Sequence, residues 1–234
     1  MSWSCSDIIC GGTMTKAEAL KELVKAGKKI AELGYVIGPG GNTSVRCGNT
    51  VYIKASGASF EDCNPKDYVG VDINTGELVD GKRRPSCETL AHLACLQAGK
   101  GIGAVVHCHP IYVLAWGMGG KMLRACNPEM VTIIGSDVPV MKYTPSAGAP
   151  FAKKLQKYIK DGYNAVIIQN HGIFVAGDNI RQALYRTRLI EEGIKTTVTA
   201  KILGKMRYMT SKEWKEIDNA EFEDYRRTLL KMKG

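Results

Sequence analysis

Histidine, phenylalanine and tryptophan are scarce in this chain of 234 residues, which holds four, four and three of them. Long apolar runs are missing too. The best candidates are broken by Lys, Gly or Asp well short of the ~20 residues needed to cross a bilayer, so a membrane-spanning reading is excluded. The first 13 residues, MSWSCSDIICGGT, lack a basic start and an adequate apolar stretch, which argues against a secretory signal. They are expected to form a loose extension ahead of a folded body, residues 14–234. No C-x-x-C pair and no regular spacing links Cys5, Cys10, Cys47, Cys63, Cys87, Cys95, Cys108 and Cys126. That usage fits tolerated thiols in a reducing cytoplasm rather than a disulfide framework. There is no linker composition, no internal repeat, no Walker loop and no dinucleotide fingerprint.

What is present is ordinary globular composition, 44% hydrophobic and 24% charged, long enough to bury a core in one domain. Lysine and arginine outnumber the acids by 32 to 23, a net charge of +9. The basic residues are scattered, with only short clusters such as Lys82-Arg83-Arg84, and no aromatics interleave them in a recognition motif. Nucleic acid and membrane partners are therefore not indicated. A small anionic substrate is the more economical use of the charge.

Thr15 and Glu18 have capping-box spacing, and Leu20, Leu23, Val24, Ile30 and Ala31 follow at helical intervals up to Gly34. Short strands are predicted over 44–47 and 51–55 around Gly48-Asn49, and over 68–73 and 77–80 around Asn74-Thr75-Gly76, paired antiparallel. A helix is predicted over 87–97, then a buried strand over 104–109 that ends at Pro110. Further strands are expected near 138–143 and 165–168, with 172–176 continuing the latter. Helices are expected near 150–160, near 180–203 after an Asp178 cap, and beyond Thr210, where Glu213 completes another capping box. Hairpins together with helical crossovers predict one α/β domain.

Residues two apart on a strand share a face, so His107 and His109 present two imidazoles together while Cys108 points the other way. His171, in Gln169-Asn170-His171-Gly172, lies at a break between two apolar runs, where a third nitrogen can join them. Three neutral imidazoles leave a metal such as Zn²⁺ open positions for substrate. Alone, the pair reads equally well as buried, hydrogen-bonded strand histidines. Glu88 falls in the first turn of the predicted helix and His92 one turn on. A carboxylate there carries a proton or simply complements the helix N-terminus; His92 reads as a packing partner. Gly40-Gly41-Asn42 and Ser56-Gly57-Ala58-Ser59 supply backbone and side-chain donors, though each alone reads as a turn.

Taken in order, Gly41-Asn42-Thr43-Ser44, Ser56-Gly57-Ala58-Ser59, Pro85-Ser86-Cys87-Glu88, Val105-Val106-His107-Cys108-His109-Pro110 and Asn170-His171-Gly172 resemble the class II aldolase/adducin family, over about residues 15–203. The resemblance implies a three-layer α/β/α sandwich around a largely antiparallel sheet. It also implies a cyclic homotetramer with active sites between subunits, and one divalent metal per subunit, Zn²⁺ before Mn²⁺ or Co²⁺. Matched residue by residue, the metal ligands fall on His107, His109 and His171, and the catalytic acid/base on Glu88. The substrate phosphate falls on Asn42, Ser56, Gly57, Ser86 and Cys87. The implied activity is reversible carbon–carbon cleavage of a small sugar phosphate through a stabilised enediolate. Decarboxylation or dehydration of a phosphorylated oxo-acid or ketose needs the same sink and stands as the alternative. Adducin keeps the fold without the metal, so an oligomeric scaffold is the reading outside enzymes. The epimerase branch carries aspartate where this chain has Glu88, which argues against epimerisation.

Two departures bear on the substrate. Where sugar-phosphate aldolases of the family offer a tyrosine to the neighbouring subunit, this chain has Asn127-Pro128-Glu129. Tyr143, Tyr208 and Tyr225 are the candidate replacements, each equally readable as a core tyrosine. Cys87 stands where a hydroxyl would hold phosphate, and a thiol is a weaker donor.

Overall fold

The computed structural model describes residues 14–99 and 101–231; the expected loose segment 1–13 lies outside them. Helix α1, Lys16–Glu32, starts on the expected capping box. The Thr15 hydroxyl accepts from the Glu18 backbone N–H at 3.3 Å, and the Glu18 carboxylate accepts from the Thr15 N–H at 2.8 Å. Such caps contribute about 1 kcal/mol. Two antiparallel hairpins follow: β1, Asn42–Cys47, with β2, Thr50–Lys54, and β3, Tyr68–Asp72, with β4, Leu78–Asp80. In the second turn the Asp72 carboxylate accepts from the N–H groups of Asn74 and Thr75.

Helix α2 spans Thr89–Leu96, β5 Ala104–Cys108, α3 Ile111–Met118, β6 Val140–Met141 and α4 Ala149–Lys160. Strands β7, Ala165–Ile168, and β8, Gly172–Gly177, precede α5, Ile180–Leu203, then α6, Ser211–Asp218, and α7, Glu221–Lys231. Three expectations are corrected. Helix α2 begins at Thr89 rather than Cys87, with Glu88 at its N-cap. The cap of α5 is Asn179, whose side chain accepts from Gln182 N–H, not Asp178. The 172–176 run does not continue β7: it reverses to pair antiparallel with it, Ile168 opposite Gly172, because Asn170 turns through φ 55°. Helix α3 and a π turn at Met130–Ile134 were not expected, and the helical stretch expected beyond Thr210 is divided into α6 and α7.

The sheet order is β4-β3-β2-β1-β5-β8-β7-β6, antiparallel throughout except for β6 with β7. Each face carries its own core, because alternate residues of a strand point to opposite sides. On one face Ala104, Val106, Cys108, Ile173 and Val175 pack with Leu23 and Ile30 of α1 and Ile190 and Ile194 of α5. On the other, Val105, Ile53, Val166 and Phe174 pack with Leu93 and Leu96 of α2 and Phe151 and Leu155 of α4. This is the expected α/β/α sandwich, and β5 lies in its middle, buried along its whole length.

Candidate metal and substrate site

The polar centre is set by strand register. Asn42, first residue of β1, lies opposite His107 on β5, and His107 lies opposite Phe174 on β8. The His107 ring stacks on Phe174 with centroids 4.2 Å apart. His109 follows the end of β5, fixed by its N–H donating to the Tyr35 carbonyl at 2.8 Å. His171 sits on the β7–β8 turn. Two glycines allow these segments to meet. A Cβ on Gly172 would lie 2.4 Å from the Cys108 carbonyl oxygen and 2.6 Å from His109 Cδ2. One on Gly41, at φ +65°, would lie 2.8 Å from the His107 carbonyl oxygen.

Glu88 arrives from the other direction. An isolated bridge pairs Ala55 with Pro85, and the Ser56 N–H donates to the Arg84 carbonyl at 2.9 Å. That bridge lays the Ser56-Gly57 turn beside Ser86, and the Ser86 hydroxyl accepts from the Glu88 N–H at 3.2 Å. The carboxylate, only 7% exposed, lies 3.2 Å from His107 Nε2 and 3.1 Å from His171 Nε2. It also accepts from the Asn42 side-chain amide at 2.8 Å.

His107, His109 and His171 form a group that could hold a metal, their ligand atoms all within 4.8 Å of one another. Their hydrogen bonds fit that use. His107 Nδ1 lies 3.0 Å from the Ile173 carbonyl, which can only accept, so Nδ1 carries the hydrogen and Nε2 is bare when the ring is neutral. Burial pushes His107 well below the ordinary histidine range, and burial likewise lowers His109. Bare Nε2 can accept from His109 Nε2–H at 3.0 Å, yet it also faces a Glu88 oxygen at 3.2 Å, lone pair against lone pair. His171 Nδ1 and Glu88 Oε1 are buried without a hydrogen-bond partner. A cation among these atoms resolves the crowding, and an imidazole whose other nitrogen donates to a carbonyl is the usual ligand arrangement. Burial alone would raise the Glu88 carboxyl, but the imidazoles of His107 and His171 and the Asn42 amide outweigh it and hold the group well below the usual carboxylate range.

One cavity of about 300 Å³ opens onto this centre. Asn42, Ser56, Gly57, Ser86 and Cys87 all line it, as do Glu88, His109 and His171, so the residues matched to phosphate, acid/base and metal roles meet in one place, all but the fully buried His107 on its wall. Lys54 also lines it and was not anticipated. The residue is 2% exposed, and its ammonium donates to the Pro39 carbonyl at 2.8 Å and to the Ala58 carbonyl and lies over the Phe60 ring. Burial pushes its pKa down to about 8. Alternation along β2 marked Lys54 only as one more strand position; nothing local distinguished it from a solvated lysine. Of the candidate tyrosines none lines the cavity among the described residues. Tyr143 and Tyr225 are 61% and 67% exposed, which corrects the reading of them as core residues. Tyr208 lies against Arg124. His92 takes no place among the three converging imidazoles; it is buried behind Asn42.

A mostly antiparallel sheet between two helical layers, with three imidazoles and a carboxylate gathered where β1, β5 and β8 meet, defines an α/β protein built around a histidine-rich centre beside a polar-lined cavity. The chain belongs to the class II aldolase and adducin family: residues 21–198 match the Class II Aldolase and Adducin N-terminal domain. It is 32% identical over 173 residues to an L-fuculose phosphate aldolase of Methanococcus maripaludis, covering 74% of this chain and 92% of that protein. It is 31% identical over 210 residues to a 3-oxo-tetronate 4-phosphate decarboxylase of Haemophilus influenzae, covering 86% and 97%. Among solved structures, an L-fuculose 1-phosphate aldolase superposes with a TM-score of 0.80 at 29% identity, over 92% of this chain and all of that one.

Proposed function

We propose that this protein is a metal-dependent lyase of the aldolase type, cleaving reversibly a carbon–carbon bond of a small phosphorylated hydroxy-ketone. The observation that carries the reading is the Glu88 carboxylate, set against His107 and His171 at 3.2 and 3.1 Å on the wall of a cavity that also holds hydroxyls, an amide and a buried ammonium. His107, His109 and His171 hold the ion, Zn²⁺ before Mn²⁺ or Co²⁺. When bound, a divalent cation supplies the Lewis acidity that stabilises negative charge on a substrate carbonyl oxygen.

The chain's own groups do the rest. Ser56, Gly57, Ser86, Cys87 and Asn42 take the phosphate, with Lys54 placing a positive charge behind them. The helix α2 N-terminus also favours an anion at Ser86-Cys87. As the carbon–carbon bond breaks, its electron pair stays on the carbon next to the carbonyl, and Glu88 moves the proton at that carbon. In condensation Glu88 takes the proton from the same position. The leaving aldehyde needs a second group to handle the proton of its hydroxyl. In the proposed homotetramer, with sites between subunits, an exposed tyrosine such as Tyr143 or Tyr225 of a neighbouring copy serves this role. Residues 14–234 act as one domain, in the cytoplasm; no described helix is long and apolar enough to cross a membrane.

One observation favours a second reading within the same family. Release of carbon dioxide from a 3-oxo acid involves no aldehyde hydroxyl whose proton must be moved, and no tyrosine lines the cavity among the described residues. A decarboxylase therefore uses this wall as it stands. A Zn²⁺-loaded protein offered dihydroxyacetone phosphate with several aldehydes, beside phosphorylated 3-oxo acids followed for carbon dioxide, separates the two. Absence of any stoichiometric divalent ion after supplementation overturns both and favours an adducin-like scaffold.

A further inference from the structure

The mechanism leaves one buried imidazole unused. His92, on α2 and completely buried, has its Nδ1 2.7 Å from the Ser44 hydroxyl and its Nε2 2.5 Å from Asn42 Oδ1. Asn42 in turn passes its Nδ2 to Glu88 Oε2 at 2.8 Å. Only one placement of hydrogens satisfies all three contacts. The ionised carboxylate can only accept, so the Asn42 amide must present its NH₂ to Glu88. Its carbonyl oxygen then faces His92, so Nε2 must carry a hydrogen. In a neutral imidazole Nδ1 is then bare and accepts from the Ser44 hydroxyl. All three hydrogens point toward Glu88.

The converse placement shows what His92 does. An asparagine amide turns over at little cost, and with the opposite orientation its oxygen would lie against the carboxylate. Two acceptors at 2.8 Å repel, so Glu88 would leave its place beside His107 and His171. A bare Nε2, or an apolar side chain, at position 92 removes the donor that prevents this. Ser44 and the Phe174 ring, tilted 67° with its centroid 5.6 Å from that of the imidazole, confine the ring from two further sides.

We propose that His92 is a positioning residue: its Nε2–H fixes the orientation of the Asn42 amide and thereby aims the Glu88 carboxylate at the reacting carbon. The inference rests on the aldolase reading for the role of Glu88, while the hydrogen-bond chain stands whatever the reaction.

The test has two arms. In the first, ¹⁵N-labelled metal-free protein is examined by long-range ¹H–¹⁵N NMR of the imidazoles, which reads each ring's tautomer directly. His92 is expected with a hydrogen on Nε2 and none on Nδ1; an Nδ1–H tautomer or an imidazolium at neutral pH overturns the proposal. In the second, Zn²⁺-loaded His92→Leu and His92→Gln are compared with wild type. Displacing Glu88 by about an ångström is expected to lower kcat about 100-fold in His92→Leu, with bound zinc little changed. Glutamine keeps an N–H within reach of Asn42 Oδ1 and is expected to recover kcat to within about tenfold of wild type. Wild-type kcat in a folded His92→Leu, or a folded His92→Gln no better than it, overturns the proposal. If the leucine variant does not fold, the tautomer and the glutamine variant decide. If wild type turns over no substrate offered, the aldolase reading fails and the NMR arm still judges the hydrogen-bond chain.

Discussion

Lowering the pH from about 7 to about 4.5 is expected to cost the folded, metal-free protein about 2.5 kcal/mol at His92 alone. Burial pushes this imidazole from 6.5 down to about 4, against a smaller upward pull from the Glu88 carboxylate. The folded pKa lies below the unfolded one, so the unfolded chain binds the proton first. The contribution to stability is complete above the unfolded value and is lost as pH falls toward the folded one. A difference of about 2.5 units is worth at most about 3 kcal/mol, most of it already lost by about pH 4.5. His107 and His109, also lowered by burial, lose stability in the same direction, so wild type alone does not isolate His92. His92→Gln does. Urea unfolding of both proteins in a chelator, from about pH 7 to about 4.5, should show the variant's disadvantage shrinking by about 2.5 kcal/mol across that interval. A difference that stays constant with pH would refute the argument, since His92 would then titrate alike in both states.

Replacing Glu88 by glutamine preserves its volume and removes its basicity; turnover should drop about 10²- to 10⁴-fold while metal analysis still finds the ion, and unchanged turnover sinks the assignment. Lys54→Met should raise KM for a phosphorylated substrate about tenfold with a smaller effect on kcat. In wild type the same KM should climb above about pH 8 as the ammonium, pushed down to about 8, loses its proton; a flat KM across that range counts against a role for its charge. Gly172→Ala places a carbon 2.4 Å from the Cys108 carbonyl oxygen, so the turn bearing His171 must move away from His109. A loss of about 1–3 kcal/mol in stability and weaker zinc binding by calorimetry are expected, and wild-type zinc affinity would contradict the geometry.

The parts of the fold visible in the sequence are those whose signal is local. The Thr15–Glu18 and Thr210–Glu213 caps are written in four residues each and form as read. The His107–His109 pair follows from strand alternation, and the five motifs in order led to the same cavity from five separate segments. What escaped depends on partners far along the chain. Helix α3 is apolar almost throughout, Ile-Tyr-Val-Leu-Ala-Trp-Gly-Met, so no polar face marks its period, and Ile111 and Met118 remain 71% and 66% exposed in this chain. The reversal between β7 and β8 turns on Asn170, a non-glycine residue at φ 55°, where no Asn-Gly pair announces a hairpin. Burial of Lys54 depends on carbonyls at positions 39 and 58, and the His92 contacts reach back 48 and 50 residues to Ser44 and Asn42.

The pairing of Asn42 with His107 and of His107 with Phe174 has a mechanical side. Two of the three imidazoles ride on or just past the most deeply enclosed strand, so moving them apart would mean parting β5 from its neighbours, an opening of nearly global cost. The turns at Ser56-Gly57 and Cys87 are exposed and carry no sheet bonds of that kind. The geometry of the imidazoles is therefore held by the sheet itself, while ligand selectivity can drift through surface substitutions that the sheet never feels.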